Sequence, residues 1–567
     1  MNFLENIFAR LKAAGDAAVL QEIHEGRVDS VSGNELLVLV AQARSFIALA
    51  GLKNGERCAL LGPNSIRWVA VDLALMAEGV TVVPLYSRQA PSELATMMQD
   101  CSPARLFCAT TDLRDAIAAV WPFGPPATLF EEIFGHGAHS DAPAASKIKT
   151  NEMDYKSVNP VDPITIIYTS GTSGEPKGVM LTVGNLNYMM SCTTSRLDRL
   201  MEMSPKLSRR ENIFHYLPLS FAASWLTLLS ALSRNSVFSL SMDLNRVADE
   251  IKIVQPDYFL NVPTLLERIR ARVEAQMIER GRPIATLFNS AKGAFARKQN
   301  RDWRMGDALW LGLGNAMLFR KIRGAIGPNL KALICGSAPL AVETQRFFMM
   351  LGIPVLQAYG LTETTGICTL DDPRNYAPGF VGPAIPGIEM KVGENSEILV
   401  RGPNVFPGYW QRPEATAKAL EGGWFHTGDQ GEVNADGNWR IIGRVKNLII
   451  LNSGHNIAPE PIEEELKKLV PTAQHVVLVG NNRSYLGAIF ASSAESSNGL
   501  HSEGAQAAID RVNQSLPHYR QIRAFCFSAE PFSIENGLLT ANGKLKRDAI
   551  TARLREPIEE LYRKKTA

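Results

Sequence analysis

Short apolar runs alternate with longer stretches of helical spacing over the first 340 residues. "RCALLGPN" (57–64), "GVTVVPLY" (79–86), "ARLFCATT" (104–111), "ITIIYTS" (164–170), "SVFSLSM" (236–242), "YFLNVPT" (258–264) and "LKALICGS" (330–337) each read as a strand. Segments such as "SIRWVAVDLALMAEG" (65–79) read as the helices between them. Strands and helices in alternation predict layered α/β sheets. Residues 264–325 break the pattern: "LLERIRARVEAQMIERG" and "ALWLGLGNAMLFRKIRGAIG" predict a helical insertion rich in basic residues.

After residue 380 the runs become short and glycine-punctuated, which predicts a small β-rich lobe, and "ADGN" (435–438) marks a hairpin turn within it. A tail of mixed strands and helices follows "GRVKN" (443–447). In that tail "APEPIEEELKKLV" opens a helix, with proline and acids first and lysines last. The polar stretch from about 140 to 157 reads as a linker. At the N-terminus, Phe3, Leu4, Ile7, Phe8 and Leu11 fall on one helical face. That face either packs on the protein's own core or touches a membrane surface. The fold expected is α/β: a large N-terminal domain (1–445) of layered sheets plus the β-rich lobe, then a small α+β C-terminal domain (446–567).

Composition narrows the function classes. The 567 residues carry 59 basic and 57 acidic side chains, a net charge of +2, so a nucleic-acid partner is not expected. Seven cysteines without CxxC spacing suggest reduced thiols and a cytoplasmic setting, with peripheral contact at the inner membrane surface as the alternative. Nine histidines form no HxxxH or HExxH cluster, which argues against a protein-held zinc. The first residues lack the basic and apolar regions of a signal peptide. No stretch reaches the roughly 18 apolar residues of a membrane helix.

The stretch "YTSGTSGEPKGV" (168–179) carries the first chemistry. Glycines let backbone N–H groups close on an anion, hydroxyls add donors, and Lys177 adds a point charge. The spacing is not that of a Walker A loop. The whole stretch resembles the signature of the AMP-forming adenylating enzymes: acyl-CoA synthetases, luciferases and peptide-synthetase adenylation domains. "YGLTET" (359–364), "HTGD" (426–429), "GRVKN" (443–447), "SGHNIAPEPIE" (453–463) and "LTANGKLKR" (539–547) match later motifs of that family in order.

The resemblance implies two half-reactions, in which carboxylate and ATP give acyl-AMP and pyrophosphate, and the CoA thiol then takes the acyl group. It implies ATP and Mg²⁺ as cofactors, CoA as cosubstrate, and a mobile C-terminal domain that changes position between the halves. Thr169, Ser170, Gly171, Thr172, Ser173, Gly174 and Lys177 would wrap the β- and γ-phosphates. Gly336, Ser337, Ala338 and Pro339, in "ICGSAPL", would flank adenine, and Tyr359, followed by Gly360, would stack on it. Thr362 would touch phosphate, and Glu363 would hold Mg²⁺. Asp429 would accept from both ribose hydroxyls, which suits an acceptor-only carboxylate. Arg444 would reach ribose or phosphate.

Lys446 stands at the hinge position, and Gly454 would line the pantetheine channel, with His455 beside it as wall rather than base. Lys544 would be the main catalytic charge. Lys546 and Arg547 are near enough to be confused with it, but Gly543 before the lysine favours Lys544.

For the acid, "YLPLSFAASWLTLL" (216–229) sits where the family reads its acyl pocket. Phe221 replaces a histidine common at that point and favours an apolar chain. Trp225 falls at an aromatic gate of some long-chain members, or is simply core. These features and the helical insertion are closest to long-chain fatty acid–CoA ligases. The alternatives are a fatty acyl-AMP ligase that passes the acyl group to an acyl carrier protein, an aryl or short-chain acid ligase, and an inert nucleotide-binding module.

Overall fold

The computed structural model describes residues 2–135, 159–170, 175–202, 210–243, 245–492, 502–540 and 543–563. The predicted linker lies outside them. The chain divides into two compact units: Met1–Met390 with Val400–Phe425 and Val433–Arg440, and Lys391–Leu399 with His426–Glu432 and Ile441–Ala567.

All seven predicted runs form strands of the first unit. Its six-stranded sheet runs Ala127–Leu129, Arg105–Cys108, Arg57–Gly62, Thr81–Tyr86, Pro163–Ser170, Pro176–Thr182, parallel except for the last pair. Its eight-stranded sheet runs Thr369–Leu370, Val355–Tyr359, Ala332–Cys335, Tyr258–Asn261, Glu211–His215, Ser236–Ser241, Ala18–His24, Arg27–Ser32. Only the two edge strands are antiparallel to their neighbours. Parallel strands buried on both faces require the near-continuous apolar runs seen in the sequence. The N-terminal hairpin Ala18–His24/Arg27–Ser32 is an addition to the sequence reading.

Helix Phe3–Ala14 starts with a capping box: Glu5 N donates to Asn2 Oδ1 (2.9 Å) and Asn2 N to Glu5 Oε2 (3.0 Å). Phe3, Leu4, Ile7, Phe8 and Leu11 are all buried. This helix face therefore belongs to the core, and the membrane contact considered for it is withdrawn. The insertion forms helices Pro263–Glu279, Arg282–Gln299, Asp307–Gly314 and Arg320–Ile326, the last two joined by a π-turn at Asn315–Phe319. Met277, Phe288, Ala291, Leu318, Phe319 and Ile322 pack with Phe214, Phe259, Leu333 and Val355 of the sheet in one core cluster.

Helix Ile66–Ala77 is buried at every position but Arg67, including its one acid, Asp72. Trp225 Nε1 donates to Asp72 Oδ2 (2.8 Å), while Asp72 Oδ1 has no hydrogen-bond partner among the described residues. Burial pushes the Asp72 carboxyl up to about 7, the indole bond opposing it. The folded state thus holds this proton more tightly than the unfolded chain, so the associated stability is present at low pH and is lost as pH rises from about 4 through about 7. Asp72→Asn removes the ionisation. Its stability relative to the parent protein is expected to improve by about 2–3 kcal/mol between pH 5 and pH 8 in chemical denaturation.

The "ADGN" turn closes as expected: Gly437 sits at φ +80°, and Asn434 accepts at Oδ1 from Asp436 N and at its carbonyl from Gly437 N, both at 3.0 Å. It joins the last two strands of the sheet Glu389–Val392, Glu397–Arg401, Phe425–Val433, Trp439–Arg444, which is the predicted β-rich lobe.

In the second unit, strands Ala473–Val479, Leu486–Ser492 and Ile522–Phe527 form one sheet. Alternate side chains face opposite sides. Val476 and Leu478 join a core with Ile462, Leu466 and Ile509. Val477 and Val479 join another with Leu538, Leu539, Ile550 and Leu561. Between helices Glu460–Leu469 and Arg547–Arg553 runs a buried ion pair: Arg547 Nη1 donates to Glu463 Oε1 at 2.8 Å and Nη2 to Oε2.

Candidate active site

In the first unit, the motif residues gather at the carboxyl ends of parallel strands, the place where open α/β sheets bind ligands. Gly336 follows strand Ala332–Cys335, and Tyr359 ends the adjacent Val355–Tyr359. Gly336 is buried, and a Cβ there would stand 3.2 Å from the Ala358 carbonyl oxygen. Ser337, Ala338 and Pro339 are exposed. Ser337 holds φ +70°, a left-handed conformation that costs a serine energy. At Gly360 a Cβ would lie 2.5 Å from Gly366 O and Ile367 Cα, so only glycine fits. Thr362 and Glu363 follow in a single 3₁₀ turn, Thr362–Thr364.

Thr169 and Ser170 stand opposite Lys177 and Pro176 in an antiparallel pair. Gly171, Thr172, Ser173 and Gly174, between them in sequence, lie outside the described residues. The Lys177 ammonium stands 5.2 Å from the centre of the Tyr409 ring. Tyr409 in turn donates its hydroxyl to Glu363 Oε1 (2.9 Å), and Glu363 is buried. Burial, then the neighbouring carboxylate, raise the Tyr409 phenol above its ordinary pKa, so it stays a donor. Tyr409 is a site residue the sequence reading missed. It reaches the site through the pairing of Val179 with Tyr409 and the bond from Trp410 N to Gly178 O (2.7 Å).

Phe221 is half-buried beside Tyr86, ring centres 5.6 Å apart, just before helix Ala222–Leu232. The start of that helix abuts the Glu363 loop: a Cβ on Gly366 would be 3.3 Å from Ala223. Trp225 is 1% exposed with its N–H bonded to Asp72. In this conformation its indole is packed in the core.

In the second unit, Asp429 is 5% exposed and its Oδ1 meets Arg444 Nε at 2.6 Å. Asp429 N donates to Thr427 Oγ1 (3.0 Å), fixing the "HTGD" turn. Lys544 sits on a tight turn, with Thr540 N donating to Lys544 O (2.8 Å), Lys544 N to Thr540 Oγ1 (3.1 Å), and Gly543 at φ +72°. Lys544 is exposed as a residue, yet crowding by protein and the charge of Arg444 lower its pKa, with Asp429 opposing. Lys446, in the turn Val445–Asn447, is lowered by burial and then by Arg444.

Three cations, Arg444, Lys446 and Lys544, thus lie in the field of Asp429, and Asp548 also acts on Lys446. Arg547 is instead committed to Glu463. Gly454, at φ +80°, is exposed, and His455 stacks on Tyr519 at 4.2 Å.

Comparison with known proteins shows the family and the fold. Residues 8–410 match the AMP-binding enzyme family and residues 446–566 its C-terminal domain. A long-chain-fatty-acid–CoA ligase FadD15 of Mycobacterium bovis is 26% identical, over 99% of this chain and 97% of its own length. A long-chain-fatty-acid–[acyl-carrier-protein] ligase AEE15 of Arabidopsis thaliana is 26% identical, over 91% of this chain and 80% of its own. The ATP-bound MatB of Rhodopseudomonas palustris superposes with a TM-score of 0.72 at 22% identity, over 98% of this chain and all of its own. The chain therefore belongs to the AMP-binding enzyme family, the AMP-forming adenylating enzymes that include the acyl-CoA synthetases.

Proposed function

We propose that this protein activates a fatty acid as its acyl-adenylate and transfers the acyl group to CoA. The observation that carries the reading is the buried Glu363 carboxylate, tied through Tyr409 to Lys177 at the carboxyl ends of the sheet strands. A Mg²⁺ fits there: it favours one or two carboxylates plus substrate phosphates over an all-protein cage, and no cluster of three His, Cys, Asp or Glu occurs among the described residues. When bound, the ion would offset phosphate charge.

In the first half-reaction a carboxylate oxygen attacks the α-phosphorus, and the bond to the bridging oxygen of pyrophosphate breaks. Two anions must approach, so the barrier falls only where fixed positive charge and donors await the developing charge. Lys177 and the "TSGTSG" residues are assigned to the β- and γ-phosphates, and Thr362 to phosphate. Gly336–Pro339 and Tyr359 are assigned to adenine, and Gly360 allows the chain after Tyr359 to pack against Gly366 and Ile367. Asp429 would take the ribose hydroxyls, with Arg444 orienting its carboxylate. Lys544 would stand at the reacting carboxylate and α-phosphate. In the second half-reaction the thiol sulfur attacks the carbonyl carbon, and AMP leaves with the anhydride oxygen. Gly454, without a side chain, would border the pantetheine path, and Lys446 would absorb the hinge rotation.

An apolar acyl chain is favoured by Phe221 and by the long-chain relatives. Burial of each CH₂ would add about 0.8 kcal/mol. A cytoplasmic setting fits the seven free cysteines. A second reading, an acyl carrier protein as acceptor, rests on the similarity to the plant carrier-protein ligase.

ATP–pyrophosphate exchange with acetate, benzoate and a series of fatty acids, followed by thioester assay with CoA, separates these readings. Exchange strongest with long-chain acids and a CoA thioester product are expected. Exchange confined to acetate or benzoate would overturn the fatty-acid assignment, and exchange without CoA thioester would favour the carrier protein.

A further inference from the structure

The helical insertion faces the core on one side, and its other side is unusual. Inward, Asp307, Gly314, Leu318, Phe319 and Ile322 are buried. Outward, the same continuous helical run exposes Leu309 (63%), Trp310 (37%), Leu313 (39%) and Met317 (50%). Trp303 (49%) and the wholly exposed Met305 precede it on the adjoining loop. A surface helix ordinarily turns charged and polar side chains outward, and exposed apolar residues gathered in one place mark an interaction site.

Charge says what covers this one. Residues 263–323 hold 13 basic and 5 acidic side chains, although the whole chain is nearly neutral. Lys298, Arg301, Arg304, Arg320 and Lys321, which border the apolar residues in sequence, are all exposed. Of the acids within 292–323, Asp307 is buried and bound by Arg297, and only Asp302, beside Arg304, faces solvent. Exposed leucine, methionine and tryptophan rimmed by arginine and lysine suit the boundary of an anionic bilayer. There the apolar groups enter the acyl region, tryptophan stays at headgroup level and the cations meet phosphate. No helix among the described residues is long and apolar enough to cross a membrane, so the contact would be peripheral.

The geometry points to residues 298–321 as a docking surface for an anionic lipid bilayer. This inference needs neither ATP nor the assignment of the acid substrate. If the fatty-acid reading also holds, the surface places the enzyme where its substrate resides.

The test is co-sedimentation of the full-length protein, without ATP, with vesicles of phosphatidylcholine alone or with about one-third phosphatidylglycerol. Strong binding to the anionic vesicles, reduced by salt, is expected. Arg301→Glu with Arg320→Glu, and separately Leu309→Ser with Trp310→Ser, should each lower it by about tenfold or more. Both double variants should retain the parent's thermal transition and its ATP–pyrophosphate exchange. Absence of binding to anionic vesicles, or equal binding by the variants, would overturn the proposal. So would variants that abolish self-association in sedimentation velocity and leave vesicle binding intact, since the surface would then serve a second copy of the chain.

Discussion

Exchange of label between pyrophosphate and ATP is expected to fall by about 10²–10³-fold when Lys544 is replaced by methionine. The side chain stands with Arg444 and Asp429, and its pKa is lowered by crowding and by Arg444. Crowding and Arg444 disfavour its ammonium form, and Asp429 favours it. The ammonium therefore has more to gain from an incoming phosphate than a free surface lysine does. The loss should be confined to the adenylation half. Supplied with synthetic acyl-AMP and CoA, the variant should form thioester at close to the parental rate. Its thermal transition should also hold, because the turn carrying Lys544 is closed by backbone and Thr540 bonds rather than by the ammonium. Equal losses in both halves would assign Lys544 a structural role instead.

The second large effect concerns stability. Arg547→Met leaves the Glu463 carboxylate buried without its cation, and such a break costs about 3–5 kcal/mol. Glu463 is 7% exposed, and burial already raises its pKa even with Arg547 present. The bond from Leu478 N (2.6 Å) to that carboxylate would remain. The double variant Glu463→Leu, Arg547→Met should recover much of the loss, because replacing both members of a buried pair by apolar groups is often neutral. Urea unfolding of the three proteins decides this, and a double variant no better than the single one would mean the pair contributes net stability.

The sequence was most legible where burial repeats along the chain. Buried parallel strands need uninterrupted apolar runs, and all seven such runs proved to be strands. The N-terminal hairpin escaped because strand Ala18–His24 is completed by Ser236–Ser241, more than 200 residues away, and its own pattern is mixed. Helix Phe3–Ala14 showed its apolar face plainly, but nothing local told core from membrane. An outward apolar surface lies instead in the insertion, where helical spacing was visible and orientation was not.

Tyr409 illustrates the same limit at the site. Tyr409, Lys177 and Glu363 come from three separate segments, and a tyrosine after a glycine turn carries no local mark of that meeting. Trp225 was legible as an aromatic at a motif position, but its buried partner, Asp72, lies 153 residues away and left no mark in the sequence.

In the proposed reaction a carboxylate oxygen of the acid becomes bonded to the α-phosphorus of ATP. The most direct measurement is single turnover with a fatty acid labelled with ¹⁸O in its carboxylate, in the presence of ATP, Mg²⁺ and CoA, followed by mass spectrometry of the nucleotide and phosphate products. The account predicts one ¹⁸O atom in AMP and none in pyrophosphate. Label in inorganic phosphate with ADP as the nucleotide product, or AMP free of label, would contradict it.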